Sequence, residues 1–90
     1  MRELTVAHKQ AQDEEGREHI YDYFILVGEM AVSPDFSCES YGVKVRERGG
    51  ESGEVPNITV NIARIDELME LLIRNTVTPC ALRDVVEDWL

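Results

Sequence analysis

With 90 residues, 43% of them hydrophobic, the chain is long enough for one compact domain and too short for two. Eighteen acidic residues against nine basic ones give a formal net charge of −9, which repels phosphate backbones and anionic lipid surfaces and argues against direct nucleic-acid or membrane binding. No apolar run approaches the roughly 20 residues that cross a bilayer, and Arg2, Glu3 and Lys9 interrupt the stretch where a secretory signal would be apolar, so a cytoplasmic protein is expected.

Leu4, Val6 and His8 alternate with Glu3, Thr5, Ala7 and Lys9, which predicts an edge strand over about residues 2–9. The polar, acidic stretch from Gln10 to Glu18, with Gly16, reads as a hairpin connection. A second strand over 19–30 is apolar on both faces apart from Asp22, through Ile20, Tyr21, Tyr23, Phe24, Ile25, Leu26 and Val27, and is expected to be central. Ser33, Pro34 and Asp35 mark a turn, because proline fixes its own φ and its neighbours bond to local backbone.

A third strand over 36–47 sets Tyr41, Val43 and Val45 against Ser40, Gly42, Lys44 and Arg46, so one of its faces is wet. Gly49, Gly50 and Gly53 among charges make a flexible hairpin tip. The fourth strand, over 55–61, carries Ile58, Val60 and Ile62 in alternation with Asn57, Thr59 and Asn61. In the helix predicted over 62–75, Ile62, Ile65, Leu68, Met69, Leu72 and Ile73 form one apolar stripe. A second helix over 79–90 repeats the pattern with Leu82, Val85, Val86, Trp89 and Leu90, Thr78 being placed to cap it and Pro79 to open it.

Strands followed by helices on short connections predict an α+β fold, a four-stranded antiparallel, meander-like sheet with two C-terminal helices packed on one face. The second strand strains this scheme. If Tyr21, Tyr23, Ile25 and Val27 meet the helices, Phe24 and Leu26 stand on the outer face, and the reverse assignment exposes the other set. Such a patch marks an interface, so Phe24 and Leu26, with Trp89 and Leu90 at the C-terminal end, are the candidate contact residues. The partner is another protein or a second copy, homodimers being the commonest closed assemblies.

Chemistry is less legible. His8 and His19 would need to meet across the first hairpin, with Asp13, Glu14, Glu15 or Glu18, to bind a metal, but their spacing matches no ligand motif. Asp22 and Glu39 are candidates for partly buried carboxylates of raised pKa, and catalysis through Asp22, Glu39 or His19 is the enzyme reading. Cys38 and Cys80 are too few for a disulfide framework, and Cys80 in a first helical turn is a small buried residue before it is a reactive one. The glycine-rich tip carries Glu51 and Glu54 and leads into a strand, which is wrong for a phosphate cradle. No catalytic, cofactor or metal site is therefore assigned. Asp84, Glu87 and Asp88 crowd the last helix against its dipole, which keeps open an acidic nucleic-acid mimic that occupies a basic partner.

The segments HIYDYFILVGEM, FSCESYGVKV, VPNIT and VTPCALRDVVEDWL resemble a family of short bacterial proteins known as a domain of unknown function, over Ile20 to Leu90. The resemblance implies a bacterial source and brings no activity, cofactor or partner. The function expected is that of a small protein-interaction module.

Overall fold

The computed structural model describes residues 1–90. Four strands, β1 (Arg2–Gln12), β2 (Glu18–Ser33), β3 (Phe36–Glu47) and β4 (Ser52–Thr59), precede helices α1 (Ile62–Arg74) and α2 (Leu82–Trp89). The sheet is an antiparallel meander in the order β1-β2-β3-β4, and both helices pack on one of its faces, as the α+β reading expects. Tyr21, Tyr23, Ile25 and Val27 of β2, with Val43 and Val45 of β3, meet Ile65, Leu68, Met69 and Leu72 of α1 and Leu82 and Val86 of α2. That choice of face leaves Phe24 and Leu26 on the outer side. The fully buried Tyr23 donates its hydroxyl to the Val77 carbonyl at 3.1 Å, which ties the α1–α2 link to the central strand.

Local chemistry sets the helix ends. The Asn61 side chain accepts from the Ala63 amide at 2.9 Å and opens α1. At its other end Lys9 of β1 donates to the carbonyls of Ile73 (2.6 Å) and Arg74 (3.3 Å), placing a cation where the helix dipole is negative. The second helix starts later than its sequence suggests. Thr78 to Ala81 form a turn closed by Ala81 N donating to Thr78 O at 3.2 Å, with Pro79 in the position a tight turn prefers, and the Thr78 hydroxyl pairs with Cys80 Sγ rather than capping. This turn lies on β4 so closely that a Cβ on Gly53 would stand 2.6 Å from the Pro79 carbonyl oxygen. Helical residues begin only at Leu82, and the guanidinium of Arg64 lies 4.3 Å from the Trp89 ring centre, joining the two helices.

Two irregularities redirect the strands. In β1 the register with β2 shifts between Thr5 and Ala7, so Leu4 faces Ile25 on the helix side while His8 faces Asp22 on the outer side. Strict alternation would have put Leu4 and His8 on one face. In β4, Val55 pairs with Val43 and Thr59 with Tyr41, leaving Pro56, Asn57 and Ile58 opposite Gly42 alone. The bulge folds over the outer face, with Asn57 at φ 55° and its side-chain oxygen accepting from the Ser40 hydroxyl. The fourth strand thus ends at Thr59, and Val60 and Ile62, expected to continue its apolar face, are exposed.

The middle hairpin outruns its neighbours. Pairing with β1 reaches Val27 and pairing with β4 reaches Tyr41, so Gly28 to Ser40 form a two-stranded arm, and the chain with it measures 54 × 24 × 18 Å. The second strand thus runs three residues past the end at residue 30 expected from sequence.

Gly42→Ala tests the β4 bulge. A Cβ there would stand 2.6 Å from Pro56 Cα and collide with the Val55 carbonyl, both backbone atoms. A loss of about 1–3 kcal/mol in urea unfolding is expected, with far-UV circular dichroism unchanged.

Candidate functional site

The outer face of the sheet holds Phe24 and Leu26, together with Asp22 and His8, but not as an open apolar patch. Phe24 and Leu26 are only 5% and 1% exposed. The Phe24 ring has Lys44 Nζ 5.7 Å and the Arg46 guanidinium 5.0 Å from its centre, and Lys44 is held in turn by Glu3 at 2.6 Å. Leu26 pairs with Gly42, where the β4 bulge folds over. Long basic side chains lay their stems on apolar surface and keep their charges in water, so the chain covers its own second apolar face. At the other candidate end Leu90 is exposed, whereas Trp89 is half-buried beside Arg64.

Asp22, 1% exposed, is the hub of that face. One carboxylate oxygen pairs with His8 Nδ1 and accepts from Arg48 Nη2 at 3.0 Å; the other accepts from Arg48 Nε at 3.1 Å and Arg46 Nη2 at 3.3 Å. The two-pronged Arg48 contact holds the Asp22 carboxyl well below the usual carboxylate range, burial opposing it and His8 and Arg46 adding to it. The sequence alone predicts a raised pKa, because burial is visible there and the three distant partners, His8, Arg46 and Arg48, are not. An acid that stays ionised is an anchor rather than a proton donor. Glu39 does not join it: it lies seven residues further along β2 by register, about 23 Å away, where it accepts from the Tyr41 hydroxyl at 3.3 Å and approaches Arg2 at 4.0 Å.

The histidines also part company. On the helix side His19 stacks on Tyr21, with ring centres 6.2 Å apart, and pairs through Nδ1 with Glu47 and through Nε2 with Asp13 at 3.0 Å. Asp13, then Glu47, raise the His19 pKa. Asp13 itself is lowered by His19 and by the Arg17 and Glu15 amides that it accepts. His8 is on the opposite face with Asp22, so the metal set imagined around both histidines is not assembled, and no group of three or more His, Cys, Asp or Glu is arranged to hold a metal ion. Cys38 and Cys80 are both free thiols.

What the outer face does leave open is the arm. Met30 and Phe36 alternate onto it beside Cys38, and Val32 stands at the register shift near the tip; Val32 and Phe36 are 62% and 61% exposed. The arm's other face carries Glu29 directly opposite Glu39. At its foot, just past the end of β4, Val60 and Ile62 are exposed as well. Sequence reading missed this site, although Val32 and Phe36 flanking Ser33-Pro34-Asp35 were its signal.

Two pH dependences follow from the polar clusters. The lowered Asp22 pKa stabilises the fold above the unfolded carboxylate value of about 4, and this stabilisation is lost as pH falls toward the folded value. Asp22→Asn is expected to cost about 1–3 kcal/mol at pH 7, with the difference from the parent in urea unfolding narrowing in strong acid. His19 has the opposite sign: its raised pKa stabilises fully below about 6.5 and fades as pH rises through the folded value. The gap between His19→Gln and the parent is expected to be wider near pH 6 than in alkali, with the imidazole NMR titration displaced upward; an equal gap at both would remove the Asp13–His19–Glu47 assignment.

No helix is long and apolar enough to cross a membrane. A search of curated proteins found no match, and neither did a search of solved structures. A family model does match, over residues 2–90, nearly the whole length over which these strands, helices and bulges extend. The chain belongs to that family, DUF6514, a family of unknown function.

Proposed function

We propose that this chain is a small cytoplasmic protein-interaction module that docks through the β2–β3 arm. The observation that carries the reading is the exposure of Met30, Val32 and Phe36 on a hairpin with no sheet neighbour on either side. A lone two-stranded hairpin is marginal in water, and apolar side chains at its tip gain most when a partner covers them. Glu29, Asp35 and Glu39 supply a charged rim around that apolar centre, the usual arrangement at such interfaces. Phe24 and Leu26, the contact residues expected from sequence, become the stiff base from which the arm projects. The two free thiols suit a reducing compartment.

The test is capture of partners by the tagged full chain from lysate of its source organism, read by mass spectrometry, beside the double variant Val32→Asp, Phe36→Asp. Both positions are exposed, so folding stability is expected to stay within about 0.5 kcal/mol of the parent. A stoichiometric partner, a second copy included, is expected to survive moderate salt and to bind the variant roughly thirtyfold less tightly. Equal capture by the variant would remove the arm from the interface. A complex that dissolves as salt rises would instead favour the acidic mimic of a basic-protein ligand.

A further inference from the structure

The main-chain hydrogen bonds of β3 identify which groups of the arm have no partner. Arg48 N donates to Ile20 O of β2, whereas Glu47 N donates to Glu51 O on the opposite side, both at 2.9 Å. Even-numbered residues of β3 therefore turn their backbone groups to β2 and odd-numbered ones toward β4. The register with β2 is unbroken from Glu47 to Ser37, and β4 reaches no further than Tyr41. Along the arm, Ser37 and Glu39 thus present their N–H and C=O groups to an open edge.

The other edges are blunted. β1 carries a bulge at Val6 and the inward-reaching Lys9, and β4 is short, bulged and interrupted by Pro56. The arm has two open edges, but that of β2, free at Glu29 and Ala31, is bulged at Val32, which leaves β3 as the edge of unbroken register, and its geometry is self-complementary. Free groups at 37 and 39, two residues apart, pair with those of an identical strand when a two-fold axis passes beside Cys38.

We infer that the partner of the arm is a second copy of this chain, joined by antiparallel pairing of the two β3 edges about Cys38. This rests on the reading of the arm as an interaction surface and names its occupant. In this register Ser37 of each copy exchanges two hydrogen bonds with Glu39 of the other, so the two Glu39 carboxylates are not directly opposed. Phe36 of each copy falls opposite Ser40 of the other. The exposed strip of outer face brought together, Met30, Phe36 and Cys38, contains no charge, while Glu29 and Glu39 of both copies lie on the other face, open to water. Each arm tip also comes to the foot of the other arm, where Val60 and Ile62 are exposed.

The register brings the two Cys38 residues face to face in a non-hydrogen-bonded pair, with Cα atoms about 4.5 Å apart, within the roughly 4.4–6.8 Å that a disulfide spans. Diamide can report it: the two thiols form one S–S bond, and their two protons and two electrons pass to diamide, which becomes the hydrazine. The full chain with Cys80→Ser is expected to give a covalent dimer that dithiothreitol reverses, and the Cys38→Ser chain is not. Under reducing conditions light scattering should show twice the chain mass at high concentration. Phe36→Asp, which removes apolar contact, and Ser37→Pro, which removes an edge donor, should each weaken that dimer at least about tenfold while circular dichroism is retained. A monomer up to about 1 mM would overturn the inference and leave the arm to a different protein. So would cross-linking through Cys80 alone, or a dimer indifferent to both substitutions.

Discussion

All seven residues of β2 from Tyr21 to Val27 are buried, yet the helices cover only one face of the sheet. The rest of the structure is organised around that imbalance. A strand apolar on both faces needs two covers, and a chain of this length supplies one helical layer. The second cover is assembled from polar parts: the stems of Lys44 and Arg46 beside Phe24, and the β4 bulge over the Leu26–Gly42 pair. Such a cover must be held in place, because flexible basic side chains gain little by lying flat unless their charges find partners. Asp22 and Glu3 provide them, Asp22 from inside the sheet and Glu3 from its edge.

The buried carboxylate, which invites a catalytic interpretation, therefore has a structural reason to be there. Its bonds reach β1 through His8, β3 through Arg46 and the turn after β3 through Arg48, so the central strand fastens both neighbours on the side without helices. On the helix side Tyr23, Lys9 and the His19 cluster act likewise, each joining segments distant in the chain. With both faces of β2 closed over the body of the sheet, apolar exposure is displaced to where the hairpin runs beyond its covers.

Much of this fold was legible because it depends on periodicity. The stripe of Ile65, Leu68, Met69 and Leu72 and the double-sided run of β2 have one economical interpretation each, and the meander follows from short connections. What escaped depends on contacts between distant residues. Nothing near Asp22 in sequence announces Arg46 or Arg48, so its burial suggested a raised pKa where the assembled site lowers it. The late start of α2 reflects a local competition, Thr78 and Pro79 serving a tight turn as readily as a helix start. The arm was hidden by its turn residues, since Ser33-Pro34-Asp35 ends a strand in any local reading, and that β1 and β4 stop short of it is a property of neither strand alone.

The irregularity at Val6 has a consequence for how this chain can change in length. One added residue puts the segment after it out of phase with the segment before, so that His8 reaches the outer face and Lys9 reaches the α1 carbonyls on the other. Removing a single residue there would exchange the two faces for everything from Ala7 to Gln12, turning an imidazole into the apolar layer and an ammonium away from its helix. Substitutions along this edge strand meet mostly solvent, but insertions and deletions meet both polar anchors at once. In β1 it is residue count, more than residue identity, that the fold constrains.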